Sequence, residues 1–522
     1  MTVKTPRLST LLKKIDLPPG DDPLRGYAVD GGDPEITALT SDSREASPGS
    51  LFAALSGSNL DGRKFIAEAI GGGASIILTD RDAALDNTGG ATIIRANEPR
   101  WLLSQIAAAF FTEQPRHIAA VTGTSGKTST VQFVRELWTA MGAQAASIGT
   151  LGVVAPEYSH YGKLTTPDPI TLHKTLADLA AQGVTHASFE ASSHGLALYR
   201  LDAVRVEAAG FTNLARDHLD FHGTRENYFA AKKRLFAEVM IANGTAILNA
   251  DTEEAEALAR IVSGRGGRVL TYGLQGKDLK LLQSAPDAHG QNLKLEILGK
   301  PYDAHLELAG NFQAWNALCA LGLAIGQGAD PEKAIAALGK LTGVHGRLDL
   351  AGTHESGAPV LVDYAHKPDA LEAVLTALRP HVGADGRLIV VFGCGGNRDA
   401  GKRPIMGGIA CRLADMTIVT DDNPRMEDPA AIRAAILAGC ETSPSVHEIA
   451  DRRDAIRFAV GQLRTGDVLV IAGKGHEPGQ IVRDQVLPFD DGEVAREALG
   501  NTGPNLRPRA EAPIMKGKAQ PQ

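Results

Sequence analysis

Seven consecutive residues, Gly123-Thr124-Ser125-Gly126-Lys127-Thr128-Ser129, combine two glycines, a lysine and several hydroxyls. Glycines permit a tight turn whose backbone N–H groups converge, and at a helix N-terminus such groups offer partial positive charge to phosphates. Lys127 adds a full charge, and the Thr128 hydroxyl can ligate magnesium. The longer loop GxxxxGK[ST] would need glycine at 121, where the chain has Val121. The pattern is therefore the short form GxxGK[ST], with Gly123 making the turn. It predicts a nucleoside triphosphate, with magnesium, held by these seven residues.

Carboxylates and imidazoles that could complete such a site follow other strand-like runs. Glu190 comes directly after Thr185–Phe189 and leads into Ala191-Ser192-Ser193-His194-Gly195. Thr212 to His218 follows Ala208–Phe211. Ligands of open α/β sheets gather outside the carboxyl ends of the strands, so Glu190 and His218 are candidates to share a crevice with Lys127. Hard magnesium prefers carboxylate oxygen, which favours Glu190 over His218. Taken singly, each is more often a hydrogen-bonded structural residue, and His194 and His222 stay nearer that reading. Lys232, Lys233 and Arg234 read as the solvated face of a helix, and nothing in their spacing singles out Lys232.

The elements that must position these residues are legible as alternating runs. His117–Thr122 is a short apolar strand breaking into the glycine loop. Val131, Val134, Leu137, Trp138 and Met141 then recur at helical spacing as far as Gly142. A helix over Ile170–Ala181 ends before Gly183, a strand covers Thr185–Phe189, another Ala208–Phe211, a helix Glu226–Ile241 and a strand Thr245–Leu248. Such alternation predicts an α/β fold with a parallel sheet covered by helices. After Gly346-Arg347 it restarts, with strands at Val360–Val362, Leu388–Phe392, Met416–Thr420 and Val468–Ile471. Helices at Asp369–Leu378, Ala430–Ala438 and Arg453–Leu463 separate them. The expectation is three domains: a small α/β unit over 1–98, a central P-loop domain over 99–345 and a Rossmann-like domain over 346–500. Residues 501–522, polar and Pro-rich, read as a disordered tail.

Composition bounds the function classes. At 522 residues, 43% hydrophobic and 22% charged, the chain is ordinary globular protein. A net charge of −8 without a basic block argues against nucleic acid as partner. Met1 to Gly20 has no apolar signal core, and no run is long enough to cross a bilayer, so a cytoplasmic protein without a membrane partner is expected. Cys319, Cys394, Cys411 and Cys440 form no CxxC pair and no disulfide-dense pattern, which fits a reducing compartment. Cys394, in a glycine-rich turn, reads as a small packing residue.

In order along the chain these features resemble the Mur ligase family, the ATP-dependent amide-forming enzymes of peptidoglycan precursor synthesis. The resemblance spans almost the whole sequence. It is carried by Asp42-Ser43-Arg44, the loop at Gly123, Thr165-Thr166-Pro167, Glu190 to His194, Asp217-His218-Leu219-Asp220 and the helix bearing Lys232. Beyond these come Gly346-Arg347, Asp363 to Pro368, Gly393 to Asp399, Asp422-Asn423-Pro424-Arg425 and Gly473-Lys474-Gly475-His476-Glu477. The Asp-Asn-Pro-Arg form resembles members that add meso-2,6-diaminopimelate to UDP-N-acetylmuramoyl-L-alanyl-D-glutamate. An arginine can grip the second carboxylate that lysine lacks with two parallel charge-assisted hydrogen bonds.

What the resemblance implies is specific. Lys127, Lys232 and Arg347 would be catalytic, with Lys232 carbamylated into a carboxylate-like magnesium ligand beside Thr128, Glu190 and His218. Asn316, Asp363 and Lys367 would join the loop in holding ATP. Ser43, Thr165, Thr166, Ser192 and Arg200 would hold the UDP-muramoyl-dipeptide. Arg398, Asp422, Asn423, Pro424, Arg425, Gly473 and Glu477 would hold diaminopimelate. A monomer is expected, closing on its ligands during an acyl-phosphate reaction. Three positions depart from the family: Ser125 in place of asparagine, Leu198 in place of a substrate-contacting glutamine, and His345 in place of proline. A lysine-adding ligase and a folylpolyglutamate-synthetase-like ligase stand as alternatives; a P-loop switch would normally carry the longer loop.

Overall fold

The computed structural model describes residues 5–15, 25–57, 60–85, 88–156, 158–160, 164–215, 217–287, 290–440, 445–477 and 479–500. The tail expected at 501–522 lies outside them. Among the described residues no helix is long and apolar enough to cross a membrane. The chain divides into two compact units, residues 1–127, 142–248 and 252–270 forming one, and residues 128–141, 249–251 and 271–522 the other.

The first unit holds two sheets. Strands β1 (Tyr27–Asp30), β2 (Ala38–Thr40), β3 (Ser50–Ala53), β4 (Ile76–Asp80) and β5 (Thr92–Ala96) lie in the order β1-β5-β4-β3-β2. All neighbours are parallel except β1 and β5. The central strands are β6 (His117–Thr122), β7 (Ala145–Gly149), β8 (Gly152–Ala155), β9 (Tyr158–His160), β10 (His186–Glu190), β11 (Val206–Phe211) and β12 (Met240–Asn249). Their order is β12-β11-β6-β10-β7-β8-β9, parallel from β12 to β7 and antiparallel beyond. Side chains of β6, β10 and β11 are buried on both faces, as expected of parallel strands between helices. Ile118, Ala146, Leu176, Phe189, Phe211 and Phe236 belong to the core on one face. Because β6 pairs with both β10 and β11, the loop after β6 opens where those two strands also end.

The helix expected over Glu226–Ile241 stops earlier. It is α-helical over Arg225–Arg234 and widens to a π-helical turn over Leu235–Val239; Met240 is extended and starts β12. The apolar residues Leu235, Phe236, Val239 and Met240 are all buried, so continued helical spacing concealed the change of backbone. Gly183 takes the left-handed conformation expected after a helix, with φ +83°.

Strand β13 (Arg268–Gly273), whose last three residues belong to the second unit, pairs in parallel with β14 (Leu279–Pro286) at Tyr272 and Gly273. Strands β14, β15 (Gln291–Ile297) and β16 (Lys300–Leu306) form an antiparallel meander that the sequence reading did not foresee. The last sheet comprises β17 (Asp349–Thr353), β18 (Pro359–Asp363), β19 (Leu388–Phe392), β20 (Met416–Val419), β21 (Val446–Glu448) and β22 (Val468–Ala472). Its order, β17-β18-β22-β19-β20-β21, is parallel except for β17. Apolar cores lie on both its faces. A two-stranded ribbon, β23 (Gln480–Val482) and β24 (Gln485–Leu487), follows.

Cys411 and Cys440, separated by 29 residues, form a disulfide between the helix Lys402–Leu413 and the end of the helix Pro429–Leu437. Spacing alone could not reveal that pair, and the sequence reading did not anticipate it. Cys319 and Cys394 are buried thiols; burial pushes the Cys394 thiol up to about 11, which fits a packing residue.

His345 precedes Gly346, whose φ of +71° and close approach to the Gly475–His476 backbone leave no room for a Cβ. His345 Nδ1 lies 2.8 Å from Asp349 Oδ2, and Nε2 lies 3.6 Å from Asp490 Oδ2. Hydrogen bonding to Asp349, then to Asp490, raises its pKa to about 9. The unfolded value is about 6.5, so this contribution to stability is complete below pH ~6.5 and is lost as pH rises through about 9. His345→Gln should therefore flatten the fall of the urea midpoint over that window. An unchanged pH slope would show that the two ion pairs contribute nothing.

Candidate functional site

The loop after β6 is tied down by the ends of neighbouring elements. Gly123 has φ +148° and sits against the Thr212 side chain, and Gly126 has φ +86°; both conformations disfavour any side chain. Asn213 O accepts from Thr124 N at 2.9 Å, and Asn213 Oδ1 accepts from Ser125 N at 3.0 Å. Thr212 Oγ1 donates to Ser125 O at 2.6 Å. The Thr124 and Tyr228 hydroxyls are 3.1 Å apart. Ser125, the departure from asparagine, is anchored through its backbone, which any residue supplies.

Two amines converge on this loop. Lys127 Nζ donates to the carbonyls of Gly123 and Thr124, each at 2.8 Å. Lys232 Nζ donates to Gly123 O at 2.7 Å, and stands 4.4 Å from the centre of the Tyr228 ring. Lys232 is therefore not on a solvated face: it is 1% exposed. Burial first, and the Lys127 charge second, lower its pKa to about 6.

Glu190, at the end of β10, is 2% exposed; its Oε1 accepts from Thr150 N at 2.7 Å. Thr166 Oγ1 donates to Glu190 O at 2.7 Å and lies 2.9 Å from Ser192 Oγ. Thr165 joins through the Thr150 hydroxyl at 3.2 Å, and Arg200 Nη1 donates to Thr166 O at 2.9 Å. Thr165, Thr166, Glu190, Ser192 and Arg200, which the sequence scattered over 36 positions, thus form one connected network. Leu198 caps the short helix Ser193–Ala197 and is half-buried. Ser43 opens the short 3₁₀ turn Ser43–Glu45 between β2 and β3, where its hydroxyl donates to Glu68 at 2.7 Å. His218 is exposed, has φ +51° and pairs with Asp217 at 3.4 Å. Its ring lies 4.7 Å from that of His194, which lies 5.5 Å from that of His222. Among the described residues, no three His, Cys, Asp or Glu side chains assemble as a metal site.

The second unit carries the other residues expected on the ATP side. Thr128 and Ser129 open the helix Lys127–Ala140, and Ser129 is buried. Asn316, in the helix Phe312–Gly326, is buried and donates to Gln313 Oε1 at 2.9 Å. The Arg347 guanidinium lies 4.9 Å from the centre of the Tyr364 ring. Asp363, at the end of β18, accepts from the N–H groups of Leu348 and Ala365, each at 2.8 Å. Burial raises its pKa to about 6 despite the pull of Arg347. Lys367 is exposed at the start of the helix Pro368–Leu378.

Asp422, Asn423 and Pro424 follow β20 and are buried. Arg425 has φ +51° and donates through Nη1 to Gly396 O at 2.9 Å. Its backbone pairs with Ile481 and Arg483 of the ribbon. Gly473, with φ +118°, is packed so closely on Asp422 that a Cβ would meet Oδ2 at 2.7 Å. Asn423 Nδ2 donates to Glu477 Oε2 at 2.9 Å, and the Tyr364 hydroxyl donates to Glu477 Oε1 at 3.3 Å. Arg398 is exposed in the turn after β19. The sequence reading missed Thr150, Asn213, Tyr228 and Tyr364. Two signals could have found them: position just beyond a strand end, and the four-residue spacing that puts Tyr228 on the same helical face as Lys232.

Three family models match, described as the Mur ligase family catalytic domain over residues 35–124, the Mur ligase middle domain over 121–324 and the Mur ligase glutamate ligase domain over 346–475. A protein of Chelativorans sp. (strain BNC1) is 52% identical over 477 residues, covering 91% of this chain and 97% of its own. The chain belongs to the Mur ligase family. That relative is named UDP-N-acetylmuramoyl-L-alanyl-D-glutamate--2,6-diaminopimelate ligase, as is one of Bradyrhizobium diazoefficiens that is 52% identical over 90% of this chain and 95% of its own. A solved structure of a ligase with the same name matches at TM-score 0.71 and 34% identity, covering 89% of this chain and 95% of that one. This Mur ligase shares the family's α/β architecture.

The depressed Lys232 pKa has a measurable consequence. Between about 6 and 10.5 the unfolded state binds a proton that the folded state does not, so this residue's contribution to stability rises with pH across that range. Below about 6 its penalty is complete. At pH 7 Lys232→Met should unfold at higher denaturant than the parent, by an amount on the order of a few kcal/mol, shrinking toward pH 10. A pH-independent difference would contradict a neutral buried amine.

Proposed function

We propose that this Mur ligase joins meso-2,6-diaminopimelate to the D-glutamyl carboxylate of UDP-N-acetylmuramoyl-L-alanyl-D-glutamate at the expense of ATP. The observation that carries the reading is the cluster of Arg425, Asn423 and Glu477, whose opposite charges suit the carboxylate and ammonium of an amino-acid head. The names of relatives at 52% identity agree. Segments 1–98, 99–345 and 346–500 then serve the UDP-sugar, ATP and the amino acid in turn, in a cytoplasmic monomer.

In the first step a D-glutamyl carboxylate oxygen attacks the γ-phosphorus, the bond to the β-phosphate oxygen breaks, and ADP leaves an acyl phosphate. Lys127 and the loop N–H groups stabilise the charge that develops on the transferred group. Thr166, Ser192 and Arg200 hold the dipeptide so that its carboxylate is aligned. In the second step the diaminopimelate amine attacks the acyl carbon, phosphate leaves with the C–O electrons, and the nitrogen loses a proton. Arg425, with Arg398, grips the distal carboxylate, and Glu477 receives the distal ammonium.

The donors present fit magnesium. Glu190 offers carboxylate oxygen and His218 an imidazole. Lys232, buried with a pKa of about 6, is in the neutral form that adds to carbon dioxide. Its nitrogen bonds to the carbon and releases a proton, leaving a carbamate oxygen in place of an amine. These residues would hold the ion, whose charge offsets that of the phosphates when bound. Labelled bicarbonate should produce a carbamate ¹³C resonance in the parent and none in Lys232→Arg.

Phosphate release should require both UDP-muramoyl-dipeptide and diaminopimelate. Lys127→Ala should lower it by roughly 10³-fold, equivalent to about 4 kcal/mol of transition-state stabilisation. Arg425→Ala should erase most of the preference for diaminopimelate over L-lysine. A parent that prefers lysine would overturn the role given to Arg425, and hydrolysis without either substrate would overturn the ligase reading.

A further inference from the structure

Neither spacing nor the family resemblance gave Lys474 a role, yet its side chain is fully buried, at 0% exposure. A buried ammonium is costly unless its donors are engaged and its charge is balanced. Its Nζ donates to Asn423 Oδ1 at 3.0 Å and lies 3.6 Å from Glu477 Oε2. Burial lowers its pKa below the usual lysine range, Asp422, Glu477 and Asp491 counter that by favouring its charge, and Arg452 opposes it. Arg452 is itself bound through two nitrogens to the Asp491 carboxylate, at 2.7 Å each.

Asn423 is where this charge acts. Its Oδ1 also accepts from Ile481 N at 2.8 Å, so one oxygen takes two donors. Turning the amide over would set its NH₂ against an ammonium and an N–H, and its oxygen against a carboxylate. Only one orientation satisfies all partners, and it aims Nδ2 at Glu477 Oε2, 2.9 Å away. With Tyr364 on the other oxygen, Glu477 is held at both ends while its side chain stays 37% exposed. The chain of contacts thus runs from a buried cation, through one amide, to the carboxylate that the proposed function assigns to the incoming amino acid.

We propose that Lys474 is a positioning residue for the amino-acid end of the site, fixing Asn423 and through it Glu477 toward an ammonium-bearing substrate. This rests on the assignment of that cluster to diaminopimelate. Lys474 touches no reacting atom; without it, Asn423 can turn and the Glu477 carboxylate loses its fixed direction.

The test is steady-state kinetics of phosphate release for the full chain carrying Lys474→Met, Lys474→Gln, Asn423→Ala, or Lys474→Met with Asn423→Ala. Lys474→Met should raise the KM for diaminopimelate about 10–100-fold, the range for a lost hydrogen bond to a charged group, with the KM for ATP unchanged. The double variant should be no worse than Asn423→Ala alone, because the lysine works through that amide. Lys474→Gln, which keeps a donor without the charge, should fall between parent and Lys474→Met, and it serves also if the methionine variant fails to fold. Multiplying losses in the double variant, or equal changes in the KM for ATP and diaminopimelate, would overturn the positioning role. A parent indifferent to diaminopimelate would instead overturn the functional reading, and this inference with it.

Discussion

A single carbonyl oxygen, that of Gly123, accepts hydrogen bonds from two lysines, and much of the first unit follows from that. Two ammonium groups on one acceptor repel strongly where water is scarce. Burial first, and this repulsion second, lower the Lys232 pKa to about 6, so the more buried amine is the one that gives up its proton. Lys127 is the more exposed of the two and lies at the start of its helix. The backbone must present that carbonyl to both, which requires Gly123 at φ +148° tight against Thr212. Thr212 and Asn213 of the neighbouring strand end then lock the turn. The turn of the loop and the chemistry of its lysines both follow from one close approach.

The second unit solves a different problem, keeping several charges of both signs within a small volume after the strands β18, β20 and β22. It does so by left-handed backbone at Asn397, Arg425, Gly473 and Gly475, which lets the chain reverse immediately after a strand and leaves polar side chains at its mouth. Two of those four positions are not glycine, and each is held by bonds that offset the strain. Asn397 Oδ1 accepts from Met426 N at 3.0 Å, and Arg425 is pinned on both sides by Ile481 and Arg483. Asp363, protonated more readily than an ordinary carboxyl, uses both oxygens on backbone N–H groups and so acts locally as a clamp on the turn after Arg347.

What the sequence made legible has a common physical basis. β6, the glycine loop and the last parallel strands could be read because period, length and turn residues all agreed. Lys232 was invisible because its helix carries three adjacent cations, and period alone does not say which of them faces inward. The end of that helix was misplaced because a π-helical turn and a strand both continued the apolar run through Met240. The meander β14 to β16 was missed although buried Leu293, Leu295 and Ile297 alternate with polar residues along β15, the pattern of a half-buried strand. The Cys411–Cys440 bond depends on two helices meeting, which no local pattern encodes. Among the residues assigned through family order, Thr165, Thr166, Glu190, Ser192 and Arg200 share one network and Asn423 and Glu477 another, while Ser43, Asn316, Lys367 and Arg398 join neither.

The way the cations are held separates working charges from structural ones. Arg452 is bound to Asp491, Arg387 to Asp467, Arg403 to Glu427 and Arg433 to Asp421, all carboxylates that neutralise them. Lys127, Arg200 and Arg425 rest instead on the backbone carbonyls of Gly123, Thr166 and Gly396, and Arg347 on the face of the Tyr364 ring. A carbonyl orients a cation without cancelling its charge, whereas a carboxylate does both. An arriving phosphate or carboxylate can therefore take these groups over at little cost, already aimed, whereas it would have to break an ion pair to recruit any of the others. A net charge of −8 and local positive charge at Lys127, Arg200, Arg347 and Arg425 are compatible for this reason.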